Sequence, residues 1–515
     1  MTTGVESPGG AVRVAKSLRA LRISAEDNVA VALSALSAGD SVVVGNRSIE
    51  LRADVPAGHK IALDTIADGD PVTKYGFPIG VATAFIQPGD WIHSHNLATG
   101  LSGSVDYAFK GSSPPTPRAG AAGAVPSFMG YRRSDGRTGT RNEIWVLNTV
   151  GCVNHAAERI ARIASERFAG SVDGVHAFSH PYGCSQLGDD LRNTQRILAG
   201  LMRHPNAGGV LVLGLGCENN QMESLLEVAG DFDRSRLRVF NTQDVIDEIA
   251  EGGASVGELV ERMASDRREE CPASDLIIGQ KCGGSDGFSG ISANPLVGLI
   301  ADRIAGFGGG VLLTEVPEMF GAEQVLLDRA ASREVFDETA QMIDRFKTYF
   351  TRHGQPIHEN PSPGNKDGGL TTLEEKSLGA IQKGGRATVE RVLRYGAQAT
   401  TGGLSLLEAP GNDAISSTAM VASGATLLLF TTGRGTPLGF PAPTVKISSN
   451  SDIATKKPHW IDFNAGEVLD GKATMESLAD NLMTLILDVA SGRKQTRNEE
   501  HGYREIAIWK EGVTL

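Results

Sequence analysis

Aromatic residues make up only 5% of the chain, so stacking on sugar rings or bases is not expected to dominate recognition. Cysteine is scarcer and odd in number, five in 515 residues, which excludes a disulfide framework and points to a reducing compartment. Basic charge is in deficit: 49 Lys plus Arg against 61 Asp plus Glu gives −12, the wrong sign for a nucleic-acid footprint. Long apolar runs are missing too. The longest, 209–215 and 425–430, are too short to span a bilayer. The N-terminal segment carries Arg13, Lys16, Arg19 and Arg22 without the apolar stretch of a secretory signal. The expectation is a cytoplasmic protein acting on a small molecule, with no membrane and no nucleic acid as partner; a homo-oligomer is compatible with all of this.

Glycine is in excess. Its 63 residues are about 12% of the chain, against a usual share of roughly 7%, and no internal repeat is evident, so many tight turns and close backbone approaches are expected. With 40% apolar and 21% charged residues, the chain can bury an ordinary core. Its length corresponds to three or four domains of roughly 150 residues.

Residues 13–100 carry short alternating segments between glycine-containing turns and read as a small β-rich module. Residues 101–128 include a Pro/Gly/Ala run (111–126) that cannot bury a core and reads as a linker. Beyond it, short apolar strands at 143–150, 174–179, 209–215, 275–280, 310–314, 404–408 and 425–431 alternate with helix-length amphipathic stretches at 154–168, 186–202, 243–265, 321–350, 371–383 and 474–491. This alternation predicts α/β architecture with parallel sheets, divided into domains 129–280 and 281–515.

In open parallel sheets ligands bind beyond the carboxyl ends of the strands. Cys152, Cys184, Cys217 and Cys282 each follow a predicted strand and lie beside glycine; Cys271 does not. Buried thiols are common as small hydrophobes, but four equivalent placements predict a thiolate site. No Cys-x-x-Cys pair exists, which disfavours a closed zinc site, and soft ligands favour iron, including iron–sulfur clusters. Other strand ends lead into Glu315, into Asn412 and Asp413, and into Arg434. Arg434 suits the carboxylate of a polyhydroxylated acid and the others its hydroxyls, although Asn412 and Asp413 also suit a helix cap. Gly214-Leu-Gly216 lacks the third glycine of a dinucleotide fingerprint, so a nicotinamide enzyme is disfavoured. In the first module His93 and His95 are two apart on a predicted strand and share a face, with His59 as a third member of an accessory metal site; an exposed solvated face is the alternative.

The strings Asp27-Asn-Val-Ala-Val-Ala-Leu and Trp91-Ile-His-Ser-His-Asn resemble the β-clip (SAF) module that opens the altronate and galactarate dehydratases. Tyr182-Gly-Cys-Ser-Gln-Leu-Gly-Asp-Asp, Gly214-Leu-Gly-Cys-Glu-Asn-Asn, Cys282-Gly-Gly-Ser-Asp-Gly and Phe430-Thr-Thr-Gly-Arg-Gly-Thr-Pro resemble the body of that family. The resemblance implies loss of water from a sugar acid: D-altronate to 2-dehydro-3-deoxy-D-gluconate in hexuronate catabolism, with Fe(II) or Mn(II). Another aldonate or aldarate such as galactarate is the alternative substrate, and a non-catalytic sugar-acid-binding protein the alternative class. The family commonly has His where this chain has Ser24, which weakens any metal site in the first module.

Dehydrating a 2,3-dihydroxy acid removes the C2 proton and expels the C3 hydroxyl. A cation on the carboxylate stabilises the enediolate, and a placed base and acid complete the step. The expected metal ligands are Cys184, Cys217 and Cys282, with Cys152 as a further candidate. His180 is the first choice for proton transfer and Asp286 the second; Arg434 and Lys446 are expected to hold the substrate carboxylate.

Overall fold

The computed structural model describes residues 18–101, 106–114 and 125–515. Residues 13–17 of the first expected module, with Arg13 and Lys16, and most of the expected linker's Pro/Gly/Ala run lie outside the described residues.

The N-terminal module is a stack of small antiparallel sheets. One orders the strands Ala20–Leu21, Val29–Ala32, Lys60–Ala62 and Trp91–Ile92. One turn recurs in it four times: Gly39, Gly58, Gly69 and Gly89 adopt φ of 83°, 83°, 86° and 88°. The following residue's N–H reaches back three residues in each case, as from Asp40 to Ser37 and from Asp70 to Ala67. Only glycine takes this φ without strain. The repeat therefore exists, against expectation, but it is carried by one glycine per turn and is faint in sequence.

Two parallel sheets follow. The four-stranded sheet orders Gly174–Phe178, Glu143–Asn148, Ala207–Gly214 and Leu237–Asn241. The seven-stranded sheet orders Val389–Leu393, Gly403–Leu407, Gly310–Leu313, Ile277–Cys282, Leu427–Thr432, Thr444–Ser448 and Phe463–Asn464. Strand Ile277–Cys282 lies wholly in the larger sheet, so the division between the α/β units falls before it and not at residue 280. The sheets share a core through helices Gly188–Met202 and Asp413–Ala422. A Cβ on Gly200 would sit 2.3 Å from the Ala422 carbonyl, so glycine sets how closely these helices cross. Helices Ala293–Phe307 and Met475–Ala490 cover the opposite face. The expected helix 321–350 is broken into Glu323–Leu327 and Arg333–Arg352, with Ser332 capping the second. No helix among the described residues is long and apolar enough to cross a membrane.

In the seven-stranded sheet the chain starts at the central strand Ile277–Cys282, adds strands on one side, then returns to add Leu427–Thr432 on the other. That is a topological switch point, where the loops leaving adjacent strands diverge and open a crevice. Cys282 is the last residue of that strand.

Candidate active site

The crevice is filled with buried charge. Glu315 follows strand Gly310–Leu313, and Glu318 lies in the turn Val316–Met319. The Cys282 sulfur is 3.3 Å from a Glu318 carboxylate oxygen and 3.8 Å from one of Glu315. Three lysines neutralise this group. Lys383 Nζ donates to the Cys282 sulfur at 2.8 Å, Lys376 pairs with Glu318 at 2.8 Å, and Lys281 pairs with Glu315 and, at 2.8 Å, with Asp413. All but Asp413 are buried. Burying an ion costs several kcal/mol even after pairing, so two carboxylates and three lysines buried around one thiol are poorly explained by stability.

Burial, reinforced by Glu318, pushes the Cys282 thiol up to about 12. Burial and the neighbouring Glu318 likewise raise Glu315 to about 7. Glu318 is buried as deeply, but Lys376 and Lys281 outweigh that and hold it near 2. Glu315 also has left-handed backbone, φ 68° and ψ 63°, costly for a residue with a side chain and concentrated at functional sites.

One sulfur and two carboxylate oxygens of Cys282, Glu315 and Glu318 lie within 4.8 Å of one another, the one such three-residue group among the described residues. Ligands bound to one ion at about 2.0–2.3 Å can be up to about 4.6 Å apart; the sulfur–oxygen distances of 3.3 and 3.8 Å lie inside that limit, so this set suits a single divalent ion. Its mixture of soft sulfur and hard oxygen suits a first-row transition metal.

The expected four-cysteine metal site is divided by the fold. Cys282 belongs to the seven-stranded sheet, whereas Cys152, Cys184 and Cys217 follow strands of the four-stranded sheet and are exposed. His180 is buried beside those three, not beside Cys282, with Nε2 on the Asn148 carbonyl at 2.8 Å and Nδ1 accepting from Tyr182 N. Both ring nitrogens serve the backbone, which leaves none for proton transfer. Asp286 is equally committed: it accepts from Ser289, Ser449 and Asn450 side chains and ties the turn after Cys282 to the loop after strand Thr444–Ser448. Asn412 caps helix Asp413–Ala422, accepting from Ala414 and Ile415 N–H. Glu315 and Asp413 do reach the crevice. Arg434 is exposed at its edge, its backbone N–H on the Gly284 carbonyl. Lys446 Nζ donates to the Thr436 carbonyl at 2.6 Å, and burial pulls this amine down to about 8.

The histidine trio is not a shared strand face. The strand ends at Ile92, and Asn96 closes a turn by accepting from His93 N–H at 3.0 Å. His59 takes the Trp91 indole N–H on Nδ1 and contacts the Asp367 carbonyl through Nε2, His93 Nε2 contacts the Lys366 carbonyl, and His95 is exposed against Trp91. These rings dock the module on segment 366–376, the segment that also supplies Lys376. Beneath them Glu375 pairs with both Lys60 and Lys74 at 2.8 Å. Ser24 Oγ accepts from Glu26 N–H.

Three family models match in succession: the altronate/galactarate dehydratase SAF domain over 18–100, the second domain of D-galactarate dehydratase/altronate hydrolase over 130–264, and the C-terminal domain of D-galactarate/altronate dehydratase over 273–514. The chain is 50% identical to the altronate dehydratase of Escherichia coli (strain K12) over 497 residues, 96% of this chain and 99% of that protein. The chain belongs to the altronate/galactarate dehydratase family. It is 47% identical to the altronate dehydratase of Bacillus subtilis (strain 168) over 501 residues, again 96% and 99% of the two chains. To the galactarate dehydratase (L-threo-forming) of Escherichia coli (strain K12) it is 33% identical over 507 residues, 95% and 96%.

Within this dehydratase fold, sequence reading missed Lys281, Lys376 and Lys383 as site residues. Lys281 was open to discovery, since it is the one charged residue of its strand and directly precedes Cys282. Lys376 and Lys383 lie in a helical stretch with no local mark of their partners.

Proposed function

We propose that the protein is a hydro-lyase that removes water from D-altronate to give 2-dehydro-3-deoxy-D-gluconate, a step in hexuronate breakdown carried out in the cytoplasm. The observation that carries the reading is the buried Cys282–Glu315–Glu318 group at the switch point of a chain 50% identical to an altronate dehydratase over nearly its whole length. The lower identity to a galactarate dehydratase, 33%, favours altronate over the aldarate.

Cys282, Glu315 and Glu318 would hold Fe(II) or Mn(II), and loading the ion requires Lys383 to withdraw from the sulfur. When bound, the ion supplies Lewis-acid stabilisation of charge on the substrate's carboxylate and departing hydroxyl. Arg434, with no ion pair among the described residues, offers its planar fork to the substrate carboxylate. Lys446 lies under the same loop; an amine brought down to about 8 is largely protonated at neutral pH but releases its proton cheaply enough to serve as the base at C2. Gly433 and Arg434 N–H donate to the Gly284 carbonyl and hold this loop against the turn after Cys282, while Asp286 holds Asn450, which donates to the Gly433 carbonyl.

The test is 2-keto acid formation from a panel of aldonates and aldarates after loading with Fe(II) or Mn(II) under reducing conditions. Turnover of D-altronate above the others is expected. Preference for galactarate would move the assignment within the family, and a metal-loaded protein inert on every sugar acid would sink the enzymatic reading.

A further inference from the structure

Cys152, Cys184 and Cys217 are left unused by that site, yet the fold gathers them. We propose that they form a three-thiolate ledge that binds an iron–sulfur cluster, with its fourth corner open to solvent or a small anion. This inference goes beyond the dehydratase reading and does not depend on it.

The three residues follow the adjacent parallel strands Glu143–Asn148, Gly174–Phe178 and Ala207–Gly214. Their loops interlock. Gly151 N–H donates to the Tyr182 carbonyl at 2.8 Å, Asn220 N–H to the Gly183 carbonyl at 3.0 Å, and Ser185 N–H to the Asn219 side chain at 2.8 Å. Each cysteine is therefore within two residues of a bond to a neighbouring cysteine's loop. A Cβ on Gly183 would lie 2.0 Å from the Thr149 carbonyl, so glycine is what lets the first two loops close. Ser185, next to Cys184, has φ 57°, a strained conformation for a residue with a side chain. Glu218, next to Cys217, fixes the third loop by accepting from Leu215 and Gly216 N–H.

Two features point to a ligand. The loops lead into the N-termini of helices Asn154–Arg167, Gly188–Met202 and Met222–Ala229, whose partial positive charges favour an anionic group. Independently, a buried amide built into these loops keeps an unpartnered donor. Gln186 accepts from Gly183 N–H through Oε1 while its Nε2 has no partner. Gln186 is 1% exposed, so this orphan donor is costly unless an acceptor completes it.

A single ion does not suit these three thiols. A single tetrahedral ion with metal–sulfur bonds near 2.3 Å needs its thiolates about 3.8 Å apart. Here the three sulfurs do not all lie within 4.8 Å of one another. A cluster that presents a separate iron to each thiolate spans a wider set. The sulfurs are exposed, so the cluster can assemble without the chain opening.

Full-length protein is reconstituted anaerobically with iron and sulfide, and bound iron, acid-labile sulfide and visible absorption are measured. We expect all three signals in the wild type. Bound sulfide should fall at least about tenfold in Cys152→Ser, Cys184→Ser and Cys217→Ser and persist in Cys271→Ser and Cys282→Ser. Circular dichroism checks that the variants fold. Should one fail to, alkylation of the wild type replaces it, and reconstitution should shield these three thiols. Iron bound without sulfide, a cluster retained by the triple variant, or thiols alkylated equally before and after reconstitution would overturn the assignment. Loss of the cluster in Cys282→Ser would tie it to the crevice and overturn the ledge as well.

Discussion

Lys383 Nζ lies 2.8 Å from the Cys282 sulfur, with the two side chains 1% and 2% exposed. An ammonium group thus stands where a cation would be expected beside a thiol and two carboxylates. Both partners come from distant stretches of chain, and each is the other's reason for being tolerated in the interior.

Cys282→Ser is expected to lower turnover of D-altronate on the order of 10²-fold and to reduce bound divalent metal, because serine cannot supply a thiolate. Cys271 lies in the antiparallel pairing of Ser127–Arg132 with Glu269–Pro272, away from the crevice, so Cys271→Ser should keep both activity and metal. Equal losses in the two variants would remove the distinction between these cysteines.

Arg434→Lys should act on binding more than on turnover. Lysine keeps the charge but loses the planar fork, so KM should rise roughly 10- to 100-fold, in line with about 1.4–2.8 kcal/mol of lost bidentate contact. A variant with unchanged KM and depressed kcat would place Arg434 elsewhere in the mechanism.

Glu375 sits between Lys60 and Lys74 with no exposure and is held near 2: burial opposes ionisation, and the two lysines outweigh it. Glu375→Gln leaves two buried ammonium groups without their anion and should cost about 3–5 kcal/mol. Urea unfolding reads this as a lower midpoint, with the N-terminal module released first. A midpoint matching the wild type would show that the docking does not rest on this pair.

His204 provides a pH dependence. It is stacked on Trp145, with Nε2 on the Ala425 carbonyl and Nδ1 accepting from Asn206 N–H; burial drops it from 6.5 to about 3. Between those values the unfolded chain binds a proton that the folded chain refuses, so stability falls as pH falls from about 6.5 toward 3. The slope through this one group is about 1.4 kcal/mol per pH unit. His204→Gln should flatten melting temperature against pH over that window, and a curve parallel to the wild type would contradict the assignment.

The strand ends were readable because apolar runs followed by glycine, cysteine and acidic residues mark where a parallel sheet presents its loops. That logic put Cys282, Glu315 and Asp413 on tips that meet in one crevice. It failed for His180 and Asp286, whose side chains are consumed by backbone and loop bonds that no spacing reveals. It also failed for His93 and His95, because Asn96 ends the strand one turn early. Strands Leu237–Asn241, Val389–Leu393 and Thr444–Ser448 were missed because polar or charged residues interrupt their apolar runs.

By itself the sequence determined the α/β class, the β-rich first module, the family, and which residues end on strand tips, since these follow from local pattern and composition. Only the tertiary structure decided which tips share a sheet. Strand order is set by packing between segments hundreds of residues apart, and it sent Cys282 to one crevice with Lys376 and Lys383 while gathering Cys152, Cys184 and Cys217 at another.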